Sequence, residues 1–206
     1  MHLNERFRGY LPVVMDLETG GFDHTVNPLL EIACTLLDWQ EPHLRVHTTH
    51  VWQVTPFAGA IIDPASLRVT GIDLTDPQRH AQDEKLVLGD FFKLVRAEMK
   101  SRQCHRAILV AHNASFDQGF LNAACARTGI KRNPFHPFSS LDTATLAALA
   151  YGHTVLSEAC HRAGIAFDNQ QAHSAGYDSE RTAQLFCKIV NAWPYLPPVA
   201  TQEADK

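Results

Sequence analysis

Asp16 and Glu18 stand two residues apart at the end of an apolar run, Val13-Val14-Met15-Asp16-Leu17-Glu18, which Thr19-Gly20-Gly21 then breaks. On an extended strand residues i and i+2 point to the same side, so the two carboxylates project together. Close carboxylates repel, and each raises the pKa of the other unless a cation lies between them. Oxygen ligands of this kind select magnesium, manganese or calcium over zinc. A D-x-E pair alone is a weak signal, but the apolar run before it reads as a buried strand and strengthens it.

Two further signals follow. His112-Asn113-Ala114-Ser115-Phe116-Asp117 comes directly after the apolar stretch Ala107-Ile108-Leu109-Val110-Ala111. It places Asp117 in the first turn of a helix, where its bland role is to complement the helix dipole for under ~1 kcal/mol. The third is His173, five residues before Asp178 and leading into the last helical stretch. With 12 histidines in the chain, such a pair by itself means little.

The elements that would hold these groups are legible in outline. Strands are expected at 13–18, 29–38 and 44–54, the last two joined by a turn at Pro42, which suggests an antiparallel meander. A short helix from Pro64 to Val69 should close at Gly71, and a longer one should run from Asp83 to Lys100 with Leu86, Phe91, Leu94 and Val95 on its buried side. A strand at 107–111 precedes a helix from Ser115 to Arg127 that stops at Gly129. Phe135 to Leu141 reads as a proline-interrupted extended segment. Helices at 143–151 and 155–163 stop at Gly152 and Gly164, and a final one spans about 175–192. This order describes a mixed α/β sheet flanked by helices. In such sheets sites gather near the carboxyl ends of strands, where Asp16 and Glu18 fall.

At 206 residues and 45% hydrophobic content, the chain suits one compact domain over residues 1–206, with a loose proline-rich and charged tail at about 194–206. No run approaches the ~20 apolar residues that span a bilayer, and no apolar stretch follows the N-terminal charges as a signal peptide requires. The 5 scattered cysteines form no C-x-x-C pair, which argues against a disulfide framework or zinc site and suits a reducing cytoplasm. A net charge of −4 argues at first against a nucleic-acid partner. The average hides local clusters: Arg6 and Arg8; Arg96, Lys100, Arg102 and Arg106; Arg127, Lys131 and Arg132. From charge alone these read as solvated helix faces, although such clusters can also hold phosphates.

Taken together, D-x-E, then H-N-x-x-F-D, then H-x-x-x-x-D resemble the DEDDh exonuclease superfamily, whose fold is a ribonuclease H-like mixed β-sheet flanked by helices. The resemblance narrows to the ribonuclease T family through Arg6-Phe7-Arg8-Gly9-Tyr10, Lys131-Arg132-Asn133-Pro134-Phe135-His136-Pro137-Phe138, Thr154-Val155-Leu156-Ser157 and Gln171-Ala172-His173-Ser174-Ala175. It covers residues 6 to 193. It implies that Asp16, Glu18, Asp117 and Asp178 hold two Mg2+ ions, with Mn2+ as a substitute, and that His173 is the general base. The expected activity is 3′→5′ trimming of single-stranded RNA 3′ ends, transfer-RNA precursors among them, with single-stranded DNA as a further substrate.

The resemblance also implies that Phe22, Phe116 and Phe138 stack on terminal bases, although for Phe116 core packing competes. Arg6, Arg8, Lys100, Arg106, Lys131 and Arg132 match a nucleic-acid-binding patch that serves the other subunit of a homodimer. The sequence departs from the family in the helix after Pro64, where Ala65 and Val69 replace an acid and a phenylalanine. That implies one fewer stacking ring and leaves open whether 3′-terminal cytosine is disfavoured. Asp142-Thr143 reads as a helix cap. Two alternatives stand beside this reading: a proofreading-type DNA exonuclease, and a catalytically silent RNA-binding module on the same fold.

Overall fold

The computed structural model describes residues 3–193; the tail expected to be loose, 194–206, lies outside them. Its centre is a six-stranded sheet in the order β4-β3-β2-β1-β5-β6. β1 (Tyr10–Thr19), β2 (Leu29–Gln40) and β3 (His43–Thr55) form the expected antiparallel meander. β5 (Arg106–Ala111) runs parallel to β1, β6 (Phe135–Asp142) runs parallel to β5, and the two-residue β4 (Gln82–Asp83) pairs with the end of β3. This is an α/β ribonuclease H-like mixed sheet.

β1 starts three residues before its apolar run, and Pro12 explains why sequence missed them. β2 pairs with β1 only from Val14 onward, whereas β5 pairs with it from Tyr10 to Val14, so Pro12 sits where the ladder is one-sided. From Leu11 onward β1 is buried at every position except Asp16, as a central strand should be.

The helices are α1 (Leu3–Arg6), α2 (Pro64–Thr70), α3 (Glu84–Ser101), α4 (Ala114–Thr128), α5 (Thr143–Tyr151), α6 (Leu156–Arg162) and α7 (Ala175–Ala192). Gly71, Gly129 and Gly152 end α2, α4 and α5 in the left-handed conformation, as their spacing suggests. One expectation fails in α3. Its buried residues include Val87, Leu88, Phe91, Phe92 and Val95, while Leu86 is exposed, because the buried stripe begins one residue later.

α7 lies along β1, β2 and β3 and is pinned there at both ends. Near its start Ser179 hydrogen-bonds Thr35 at 2.8 Å, and Thr35 bonds Thr49 at 2.9 Å. Near its end the Asn191 amide makes two 2.8 Å bonds with the backbone of Leu44. Gly176 permits this approach, since a Cβ there would lie 2.9 Å from Val51. The first turn of α7 is thereby fixed beside the carboxyl end of β1.

Candidate active site

Asp16 and Glu18 project from the carboxyl half of β1, half-buried and buried respectively. Asp178, buried, comes from the first turn of α7. One carboxylate oxygen from each of Asp16, Glu18 and Asp178 lies within 4.8 Å of the others. Asp117, buried in the first turn of α4, stands outside this tight group yet close enough for its charge to act on Asp16.

Crowding and burial govern their protonation. Burial, then the charges of Asp117, Glu18, Asp178 and Glu31, push Asp16 well above the usual carboxylate range. Glu18 rises to about 8 through burial and then Asp178, Glu31 and Asp117. Burial also takes Asp117 to about 8, opposed by backbone N–H groups of Asp117 itself and of Leu17 and reinforced by Asp142. Asp178 is raised by burial, while the hydrogen bond from the His173 backbone pulls it down. That bond uses Oδ2, at 2.9 Å, and leaves Oδ1 buried without a partner. A set of mutually repelling carboxylates with an orphaned oxygen, and no thiol among them, fits a hard divalent cation.

His173 is exposed, and its backbone is left-handed, φ 65°. It lines a 270 Å³ pocket with Glu18, Phe22, Phe116, Ala65 and Val69, so the two departures in α2 stand in the wall beside the acids. Phe22 is 86% exposed and meets Phe116 edge-on at 6.2 Å. Phe116 is half-buried and packs on Phe120 at 4.8 Å, so its ring serves both core and pocket. Phe138 is 80% exposed, because the β5–β6 register jumps from Ala107↔Phe135 to Leu109↔Ser140 and extrudes the residues between.

The basic residues gather elsewhere. Tyr10 pairs with Arg106 and Ala107 with Phe135, so the amino ends of β1, β5 and β6 lie side by side. Arg6 and Arg8 precede β1, Arg106 opens β5, and Lys131 and Arg132 lead into β6, while Lys100 ends α3 just before β5. Arg8 lies over the Tyr10 ring at 5.5 Å, Arg6 over Phe7 at 5.8 Å, and Arg106 donates to the Phe135 carbonyl at 3.2 Å. Tyr10 to Asp16 spans roughly 20 Å of strand at ~3.3 Å per residue. The basic end and the acidic end are therefore opposite ends of the sheet.

The model of the exonuclease family (RNase_T) matches residues 13–186. The chain belongs to the exonuclease family. It is 55% identical over 204 residues to ribonuclease T of Shewanella frigidimarina (strain NCIMB 400), covering 97% of this chain and 92% of that protein. The nuclease domain of 3′hExo, a DEDDh family member bound to rAMP, superimposes with a TM-score of 0.68 at 19% identity, covering 88% of this chain and 92% of that one. Exonuclease I of E. coli in complex with a dT13 oligonucleotide gives a TM-score of 0.67 at 18% identity, over 88% of this chain but 41% of that longer one. The chain is thus a hydrolytic nuclease, a 3′→5′ exoribonuclease by its kinship.

Two further acids that act on this cluster escape a reading of motifs. Glu31 on β2 lies directly across from Glu18 in the β1–β2 register and raises it. Its signal was present: a lone acid inside Leu29-Leu30-Glu31-Ile32-Ala33. Asp142 does cap α5, accepting from Ala144 N–H at 2.9 Å, but it also accepts from Asn113 N–H at 3.0 Å and bears on Asp117.

Proposed function

We propose that this exonuclease trims single-stranded 3′ ends of transfer-RNA and other stable RNA precursors, one 5′-nucleotide at a time, with magnesium held by Asp16, Glu18, Asp117 and Asp178. The observation that carries the reading is the convergence of three carboxylates within 4.8 Å beside a pocket lined by His173 and two phenylalanines. Two Mg2+ ions per site, replaceable by Mn2+, are the expected complement. When bound, they would neutralise the phosphate and favour ionised water at neutral pH.

The chain's own residues supply the rest. Asp16, on which the charges of Asp117, Glu18 and Asp178 all bear, would be the principal ligand, with Glu18, Asp178 and Asp117 completing the set. His173, exposed and lining the pocket, would accept the proton of the attacking water. Phe22 and Phe138, whose rings are largely solvent-exposed, stack on terminal bases, and Phe116 forms the pocket wall against which the last base rests. Stacking requires splayed bases, which accounts for preference for single strands. Single-stranded DNA 3′ ends offer the same faces and are expected to be cut as well.

Arg6, Arg8, Lys100, Arg106, Lys131 and Arg132 lie too far from the acids of their own subunit to hold the last phosphates. Their separation, roughly 20 Å along β1, supports a homodimer in which each patch grips RNA entering the partner's site. The five cysteines are free and buried, which suits a cytoplasmic location. No helix among the described residues is long and apolar enough to cross a membrane.

Rates on a single-stranded RNA 3′ tail, on the same tail in a duplex and on a mismatched DNA primer end test the reading. Fastest removal from the unpaired RNA tail is expected. Fastest removal from the mismatched DNA end would favour a proofreading role instead.

A further inference from the structure

The segment between α6 and α7, residues 163–174, has neither helix nor strand, yet it carries His173. Among the described residues no hydrogen bond reaches the His173 ring, so its placement depends heavily on the backbone that carries it. That backbone is left-handed at φ 65°, a conformation side chains other than glycine adopt at a cost. Something must therefore hold the segment. One hold is the bond from His173 N–H to Asp178.

A second hold comes from the neighbouring residue. The Tyr177 hydroxyl accepts the backbone N–H of Asp168 at 2.5 Å, and the Tyr177 ring meets Phe167 edge-on at 5.4 Å. Arg181, one turn further along α7, lies 4.9 Å from the Tyr177 ring centroid and donates to the Ala166 carbonyl at 3.2 Å. Asp168 passes the restraint on. Its carboxylate accepts Gln170 N–H and the Gln171 amide, both at 2.9 Å, and its carbonyl accepts Gln171 N–H at 3.0 Å. Residues 168–171 thus close into a turn that ends two residues before His173.

We propose that Tyr177, through the hold of its hydroxyl on Asp168, is a positioning residue for His173 in the hydrolytic reaction. The proposal rests on the assignment of His173 as general base. Tyr177 acts on the segment and not on the acids: its contacts are to Asp168, Phe167 and Arg181. A general base contributes roughly 10²–10⁴-fold, and misplacement by about 1 Å forfeits up to about a hundredfold, so the geometry of this segment bears directly on rate.

Tyr177→Phe removes the acceptor while keeping the ring against Phe167 and Arg181. On a single-stranded RNA oligonucleotide its kcat is expected to fall about tenfold, with KM, the affinity for Mn2+ by calorimetry and the melting temperature unchanged. Asp168→Ala, which dismantles the turn, should show the same pattern. In a His173→Ala background, under single-turnover conditions, Tyr177→Phe should change the rate less than about twofold, since groups that act as a unit are not additive. An unchanged kcat in the native background would overturn the proposal, and so would a tenfold loss that persists without His173. Wild-type turnover by His173→Ala alone would remove the general-base assignment and this proposal with it, a result read before Tyr177 is altered.

Discussion

The backbone N–H of His173 donates to Asp178 Oδ2 at 2.9 Å, so the proposed base and one of the proposed metal ligands are mechanically one unit. The other oxygen of Asp178 is buried and has no protein partner. One carboxylate thus fixes the histidine segment with one oxygen and keeps the other unpartnered, as the proposed role of cation ligand requires.

Asp178 and His173 should consequently fail in different ways. Asp178→Asn is expected to weaken Mn2+ binding by at least about tenfold and to lower kcat by about a thousandfold. His173→Ala should lower kcat by roughly 10²–10⁴-fold and leave Mn2+ affinity intact. Calorimetric titration beside steady-state kinetics checks both, and equal metal affinity in the two variants would contradict the arrangement.

The three phenylalanines separate by burial. Phe22→Ala and Phe138→Ala should weaken oligonucleotide binding by ~1–3 kcal/mol each with the melting temperature unchanged, because both rings are free of the core. Phe116→Ala should weaken binding and also destabilise the protein by about 2 kcal/mol, since it packs on Phe120. Fluorescence anisotropy and denaturant melts distinguish them. Unchanged affinity in both exposed-ring variants would remove stacking from the account.

Where Asp16 and Glu18 sit could be read from sequence, because an apolar run with a period-two acid pair has few other readings. The glycine stops of α2, α4 and α5 were equally plain, each needing a left-handed residue. Cross-strand register was not legible. Glu31 acts on the acid cluster only because it faces Glu18 across the β1–β2 ladder, and Phe138 becomes exposed only because β6 bulges against β5. The same limit applied to charge: the basic clusters were visible along the chain, but only the sheet puts them together at the end opposite the acids.

That opposition makes a prediction about the patch. Charge reversal of Arg106 and Lys131 should raise KM on a transfer-RNA-like substrate at least several-fold and flatten its dependence on salt. Mixing this variant with Asp16→Ala chains should restore activity, since a mixed dimer would pair one intact site with an intact patch of its partner. Additive, unrestored activity in the mixture, or full activity of a monomer, would contradict the crossed arrangement.

Proton linkage gives a metal-dependent pH effect. Without metal, Glu18 and Asp117 are raised to about 8 in the folded chain, against roughly 4 when unfolded. The folded state then binds more protons than the unfolded state across that window, so stability falls as pH rises through it. A bound cation favours the ionised carboxylates and removes the penalty. The increase in melting temperature on adding Mg2+ should therefore be larger at pH 8.5 than at pH 5.5. A pH-independent increase would show that these acids do not hold the ion.

The most direct test follows a 3′-tailed transfer RNA through time with the native protein, with chelator present, and with a folded Asp16→Ala variant. The account predicts stepwise shortening and 5′-mononucleotides from the native protein with Mg2+, and no shortening in the other two. Trimming at native rate by Asp16→Ala, or in chelator, would contradict it.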